Sequence, residues 1–131
     1  MFTVALAMTG FGVFMALSSR SSAFDAFNQQ IDPVFWPAGP DSTARDFQQM
    51  IYAVWGATVA GFGALAAFVV RHPFRARQRW ARDALAVSIL LWFVLDTTAS
   101  AVAGVWFNVV FNTVVLGALA VPMAATWKEF G

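Results

Sequence analysis

The chain has no cysteine, one histidine and one tyrosine. Without cysteine there are no disulfides, no thiolate metal sites and no cysteine nucleophile. A lone histidine, His72, excludes a histidine-cluster metal site or a bis-histidine haem within one chain. Charge is scarce too: 11% of the 131 residues are Asp, Glu, Lys or Arg, against about 25% in soluble domains. The net charge of +1 gives no bulk attraction for nucleic acid. There is no Gly-rich phosphate loop, no Ser/His/Asp set at a workable spacing and no cluster of metal ligands. These gaps supply no catalytic residue, no metal and no cofactor, and they point away from an enzyme.

What the chain has is apolar side chains, 60% of the total. So short a chain cannot hide that much from water, because small domains bury the smaller fraction of their surface. Lipid is the solvent that fits. Four apolar segments stand out: Met1–Leu17, Phe47–Val70, a third from about Trp80 to Ala99 and a fourth from about Val105 to Ala125. A membrane span needs about 20 such residues, range about 17–25. The third and fourth run together, and one helix through both would be roughly 65 Å long, twice the hydrocarbon thickness. A turn is therefore expected in Ala99–Gly104, where Gly104 permits the required backbone angles. The expectation is an all-α, polytopic membrane protein: a four-transmembrane-helix bundle in one membrane domain, 1–131, with helices at about 1–18, 42–70, 78–99 and 105–125. "SSA", Ser21–Ala23, has the spacing of a signal cleavage site, but no Lys or Arg precedes the first apolar run, so that run reads as a retained span.

Charge placement gives a direction. Arg71, Arg75, Arg77, Arg79 and Arg82 crowd the connection 71–82, which has no acid. The positive-inside rule puts this loop and both termini in the cytoplasm of an inner (plasma) membrane. The five arginines are candidate contacts for anionic lipid headgroups. The connection 18–41 then faces out, and it carries Asp25, Asp32 and Asp41. Its Asp-Pro, Trp-Pro and Gly-Pro pairs predict irregular backbone, with its aromatics on the membrane surface or folded over the bundle mouth. Asp41 or Ser42 can cap the next helix, and Thr43 with Asp46 has capping-box spacing. Trp80 and Trp127 suit the inner interface, Trp36 and Trp106 the outer.

Helices in lipid associate through close backbone approach and polar contacts. Stripes of small residues mark the faces: Ala5, Thr9, Gly12 and Ala16; Tyr52, Gly56, Ala60, Gly63 and Ala67; and Gly117, Ala120 and Ala124. Polar groups inside apolar segments mark a candidate site. Ser88, Trp92, Asp96 and Ser100 are four apart and share a helix face. With a turn centred near residue 102, Asp96 falls level with Asn108, and Trp92 with Asn112. The Asn108 amide is then expected to donate to Asp96, and the Trp92 indole to Asn112. Gln48 and Tyr52 open the second helix at the same depth and are expected to join Asp96, Asn108, Asn112, Trp92 and Ser100 in an outward polar pocket. Arg20 or Arg45 could neutralise the acid. An intramembrane Asp is a functional-site candidate by default.

The helix "RDFQQMIYAVWGATVAGFGAL", Arg45–Leu65, followed by "RHPFRARQRWA" and an apolar pair, resembles in layout the small four-helix bacterial membrane proteins grouped as DoxX-like. The resemblance implies a four-helix fold and transfers no catalytic residue. Small multidrug transporters also have four short helices, but they carry an acid in the first, and this first segment has none. Three roles compete: a structural or accessory subunit of a membrane complex, a binding protein or small proton-linked transporter for an apolar ligand held near Asp96, and, last because the acid has no positioned partner, a membrane enzyme acting on lipid or quinone with Asp96 as acid or base. The partners expected are membrane lipids and either a protein partner or further copies of the chain.

Overall fold

The computed structural model describes residues 1–130. Every regular element among them is helical. Helix α1 spans Phe2–Ser18; a 3₁₀ turn at Ser22–Phe24 leads into α2, Asp25–Phe35; α3 spans Ser42–Val69 and winds on through a π turn, Val70–Phe74. Helix α4 spans Arg79–Val102, α5 spans Trp106–Thr126, and a 3₁₀ turn covers Trp127–Glu129.

Three helical stretches are long and apolar enough to cross a membrane among the described residues: Ser42–Phe74, Arg79–Val102 and Trp106–Glu129. Phe2–Ser18 is a shorter apolar helix. Their large side chains are not hidden. Leu91, Leu95, Val110, Val114 and Val121 are each more than half exposed, a surface that lipid accommodates and water does not. Polar groups on these helices close locally. The Thr58 hydroxyl donates to the Val54 carbonyl, and Thr113 to that of Val109, so neither is left unpaired in an apolar medium.

Two turns shape the chain's chemistry. The first is the π turn. Pro73 has no N–H to offer the Val69 carbonyl, and the helix widens there: the Gln78 N–H reaches the Pro73 carbonyl at 3.0 Å, and Arg77 takes a positive φ of 55°. The basic connection, expected as a loop, is therefore largely wound. Arg71 lies in the π turn, and Arg79 and Arg82 lie in the first turn of α4. The second turn joins α4 to α5. Gly104 has φ of 77°. The Val105 N–H bonds the Ser100 carbonyl at 2.9 Å and the Gly104 N–H bonds that of Ala101 at 3.1 Å, the paired bonds of a Schellman cap. Helix α4 thus runs three residues past the expected end.

The chain divides into two compact units, Ala7–Ala64 and Met1–Leu6 with the chain from Leu65 onward. In Ala7–Ala64, α1 and α3 meet backbone to backbone through Gly12, Gly56 and Ala60. A Cβ built on Gly12 would stand 2.5 Å from the Gly56 carbonyl oxygen, and one on Gly56 would stand 2.7 Å from that of Gly12. The two small-residue stripes create this approach. Over it lies α2. Pro33 falls in its last turn, and the predicted irregular loop is helical because Phe24, Phe27 and Ile31 recur at helical spacing and pack on Met15 and Tyr52. The Phe24 ring lies 4.9 Å from Phe27 and 5.1 Å from Tyr52, centroid to centroid. Asp41 begins α3, its Oδ1 accepting the Ala44 N–H at 2.7 Å; the Thr43–Asp46 pair makes no such bond.

In the other unit, α4 and α5 form an antiparallel pair. Ala81, Leu85, Ile89 and Ser100 are the buried residues of α4, and Asn112, Leu119 and Met123 those of α5. The third small stripe is not on that face: Gly117 and Ala124 are exposed, and nothing lies within 4 Å of a Cβ added to Gly117. The bulkier Leu119 and Met123 take the contact.

Candidate functional site

Three groups of polar side chains carry the chemistry this chain has. The first is on α4 and α5, below the Gly104 turn. Asp96 Oδ1 accepts the Asn108 amide at 2.7 Å, the Asn112 amide at 2.9 Å and the Ser100 hydroxyl at 3.2 Å. Each amide has a second use: Asn108 donates to Ser100 Oγ at 2.8 Å, and Asn112 to Thr97 Oγ1 at 3.3 Å. Asn112 is 1% exposed, and Asp96 is half-buried. Three donors thus meet one oxygen in an apolar setting, where an unmet acceptor is expensive. Asp96 Oδ2 accepts no hydrogen bond among the described residues.

The register differs from the sequence expectation. Ser100 is level with Asn108, and Asp96 with Asn112. The turn is centred near Gly104, two residues later than expected, because the Schellman cap lets α4 run on to Val102. That shift carries Asn112 from the level of Trp92 to the level of Asp96. The Trp92 indole consequently makes no bond to Asn112, and Ser88 is exposed rather than on the shared face.

The second group belongs to α2 and α3. The Arg45 guanidinium bridges to Asp32 Oδ2 at 2.6 Å and donates to Gln48 Oε1 at 2.6 Å. Gln48 Nε2 closes the ring on Asp32 Oδ1 at 2.8 Å and also donates to the Tyr52 hydroxyl at 3.1 Å. Gln48 and Tyr52, expected in the Asp96 pocket, are thus the buried floor of an ion pair that ties α2 to α3. Arg45, expected as a counter-ion for Asp96, is engaged with Asp32. Asp32 does not stand out in the sequence as a site residue, because its approach to Arg45 and Gln48 depends on α2 folding back onto α3, which local spacing does not show.

The third group is the basic end. Arg82 lies with its guanidinium carbon 4.2 Å over the Trp127 ring and 5.8 Å from that of Phe130, and it pairs with Asp83 at 2.7 Å. Arg79 Nε donates to the Phe130 carbonyl at 3.1 Å, Arg77 pairs with Glu129 at 3.2 Å, and Phe74 packs on Phe130 at 4.7 Å. The segment Trp127–Phe130 is in this way held against the start of α4. Of the five arginines expected at lipid headgroups, Arg77, Arg79 and Arg82 therefore have partners within the chain. Arg71 has only the Phe2 ring, 5.6 Å away, and Arg75 has no partner among the described residues. His72 stacks on Phe68 with centroids 6.3 Å apart.

No group of three His, Asp or Glu side chains among the described residues is placed to hold a metal ion. No protein-family model, curated protein or solved structure matches the chain.

Proposed function

We propose that this chain is a structural or accessory subunit of a complex in a bacterial inner membrane, built as a bundle of four spans with both termini in the cytoplasm. The observation that supports it is the self-contained character of its polar groups. Asp96 is met by three donors of its own chain, while large apolar residues such as Phe47, Trp106 and Val121 stand exposed. The acid holds two helices in register, and the apolar exterior is the surface left for lipid and a protein partner. The full chain, released gently from its own membrane and weighed by native mass spectrometry, is expected as part of a hetero-complex of fixed stoichiometry. Phe47→Ala and Trp106→Ala should detach the partner, whereas Asp96→Asn should leave it bound. A bare chain that retains a small molecule, and loses it in Asp96→Asn, would sink this reading.

One observation favours a second reading, a binding protein or small proton-linked transporter for an apolar ligand. Asp96 is half-buried and its Oδ2 is unused within the chain. In that case Asp96→Asn abolishes binding or frees it from pH dependence.

The orientation follows from the arginines of 71–82. The absence of native cysteine makes it directly testable: a cysteine at Ala38 should react with an impermeant maleimide from outside intact cells, and one at Ala76 only after lysis.

A further inference from the structure

Beside the π turn lies a cavity of about 340 Å³, lined among others by Phe2, Val70, Arg71, Phe74, Arg75 and Pro122. It belongs entirely to the unit that holds α4 and α5. We propose that it is a binding site for the phosphate headgroup of an anionic phospholipid. The inference rests on the membrane placement proposed above, and it sharpens a diffuse basic surface into a site with two named ligand-binding arginines.

Charge is the first support. Of the arginines in the third polar group, Arg77 is paired with Glu129 and Arg82 with Asp83, and Arg79 Nε is bound to the Phe130 carbonyl. Arg71 and Arg75 are the two arginines of 71–82 without an acid or carbonyl partner among the described residues, and both line the same cavity. They are four residues apart across the π turn, so they share a side of it. Two unpaired guanidiniums offer the forked donors that phosphate oxygens accept. The lining is the second support. Phe2, Val70, Phe74 and Pro122 form the apolar part of the wall, which suits the glycerol and acyl portion of a lipid; Met1 and Thr126 complete it, and the Thr126 hydroxyl already donates to the Pro122 carbonyl. Position is the third. Arg71 and Arg75 sit where the Ser42–Phe74 span ends, the depth at which headgroups lie.

The full chain would be reconstituted in nanodiscs of equimolar phosphatidylcholine and phosphatidylglycerol, then released for native mass spectrometry. The wild type should retain phosphatidylglycerol in preference. Arg75→Gln, which removes no contact within the protein, should lower that retention about fivefold, and adding Arg71→Gln should lower it by about the same factor again. Arg77→Gln should leave it unchanged, because that charge is already paired with Glu129. Equal retention of the two lipids, or an equal loss in Arg77→Gln, would overturn the site. So would displacement of the lipid by inorganic phosphate, which would make it a free-anion site. A chain that fails to enter the bilayer would overturn the membrane placement and this inference together, whereas a chain that enters without preference would overturn this inference alone.

Discussion

The Asn112 amide nitrogen lies 2.9 Å from Asp96 Oδ1, and this contact fixes the register of α4 against α5. Shift α5 by one turn and Asp96 comes level with Asn108 in one direction or Leu116 in the other, and the convergence of both amides on one oxygen is lost. Inter-helix hydrogen bonds in membranes average only about 0.6 kcal/mol each, but two converge on one oxygen here, beside a third from Ser100 of the same helix. Asp96→Ala leaves the Asn108 and Asn112 amides only Ser100 and Thr97 as acceptors and should destabilise the chain by about 2 kcal/mol in a denaturant titration in detergent micelles. Asp96→Asn keeps an oxygen at the same point and should cost less than about 1 kcal/mol. Equal losses in the two variants would show that the network adds nothing beyond the side chain's bulk.

The approach of Gly12 to Gly56 makes a second expectation. A Cβ on Gly56 meets Ala16 N at 2.6 Å and the Gly12 carbonyl at 2.7 Å, and backbone cannot rotate away as a side chain can. Gly56→Val should cost about 1–3 kcal/mol, the range for an overpacked contact. Gly61→Ala is the matched control. Nothing lies within 4 Å of its added Cβ, so it should be neutral or slightly stabilising through helix propensity. Similar behaviour of the two variants would remove the close α1–α3 contact from the account.

The hairpin turn can be tested separately. Gly104 sits at φ of 77°, where an L-residue with a Cβ is strained. Gly104→Ala should lower stability by about 1–2 kcal/mol, and Gly104→Asn by less, since Asn tolerates this region. An unchanged midpoint in Gly104→Ala would mean the turn relaxes to another form and does not set the register.

These positions differ in how far they could be read from residues alone. Gly12, Gly56 and Ala60 announce their contact, because small residues at spacings of three and four have one obvious use in lipid. Asp96 with Asn108 was legible for the same reason: polar groups in an apolar run must find each other. Composition puts Asn112 opposite Trp92 because it suggests a turn two residues early, and the Schellman cap extends α4 past that point. Helix α2 was hidden by its prolines. Asp-Pro and Trp-Pro argue against a helix and the 24, 27, 31 spacing of its apolar face argues for one; Pro33 removes one backbone bond, to the Gln29 carbonyl, and the aromatic packing on Met15 and Tyr52 outweighs that loss. The ring of Asp32, Arg45 and Gln48 depends on α2 folding back, so it could not be seen before α2 was. The stripe through Gly117 shows the converse: helical spacing of small residues permits close contact and does not require it.

That ring gives a prediction of its own. Asp32 and Arg45 are partly shielded, with side chains 15% and 31% exposed, and Gln48 beneath them is buried. Asp32→Asn or Arg45→Gln should loosen α2 from α3 while leaving α3 helical. Hydrogen exchange should report it as a loss of protection in Asp25–Phe35 of about fivefold, equivalent to about 1 kcal/mol of local opening. Unchanged exchange there would assign α2's anchoring to Phe24 and Phe27 alone.

The clasp at the other end separates two arginines that composition treats alike. Arg82 has its guanidinium over Trp127 and a side chain 15% exposed, whereas Arg77 is 63% exposed and pairs with Glu129. A cation over an indole strengthens as water is excluded, and an exposed ion pair contributes little. Arg82→Ala should therefore release Trp127–Phe130, and Arg77→Ala should not. Because the chain has no native cysteine, a nitroxide on Lys128→Cys reports this segment alone. Its spectrum should sharpen in Arg82→Ala. It should sharpen in part in Arg82→Lys, whose ammonium keeps the charge but cannot stack as a plane. It should stay broad in Arg77→Ala. If Arg77→Ala frees the label and Arg82→Ala does not, the segment is held by the Arg77–Glu129 pair, and the stacked guanidinium is incidental to it.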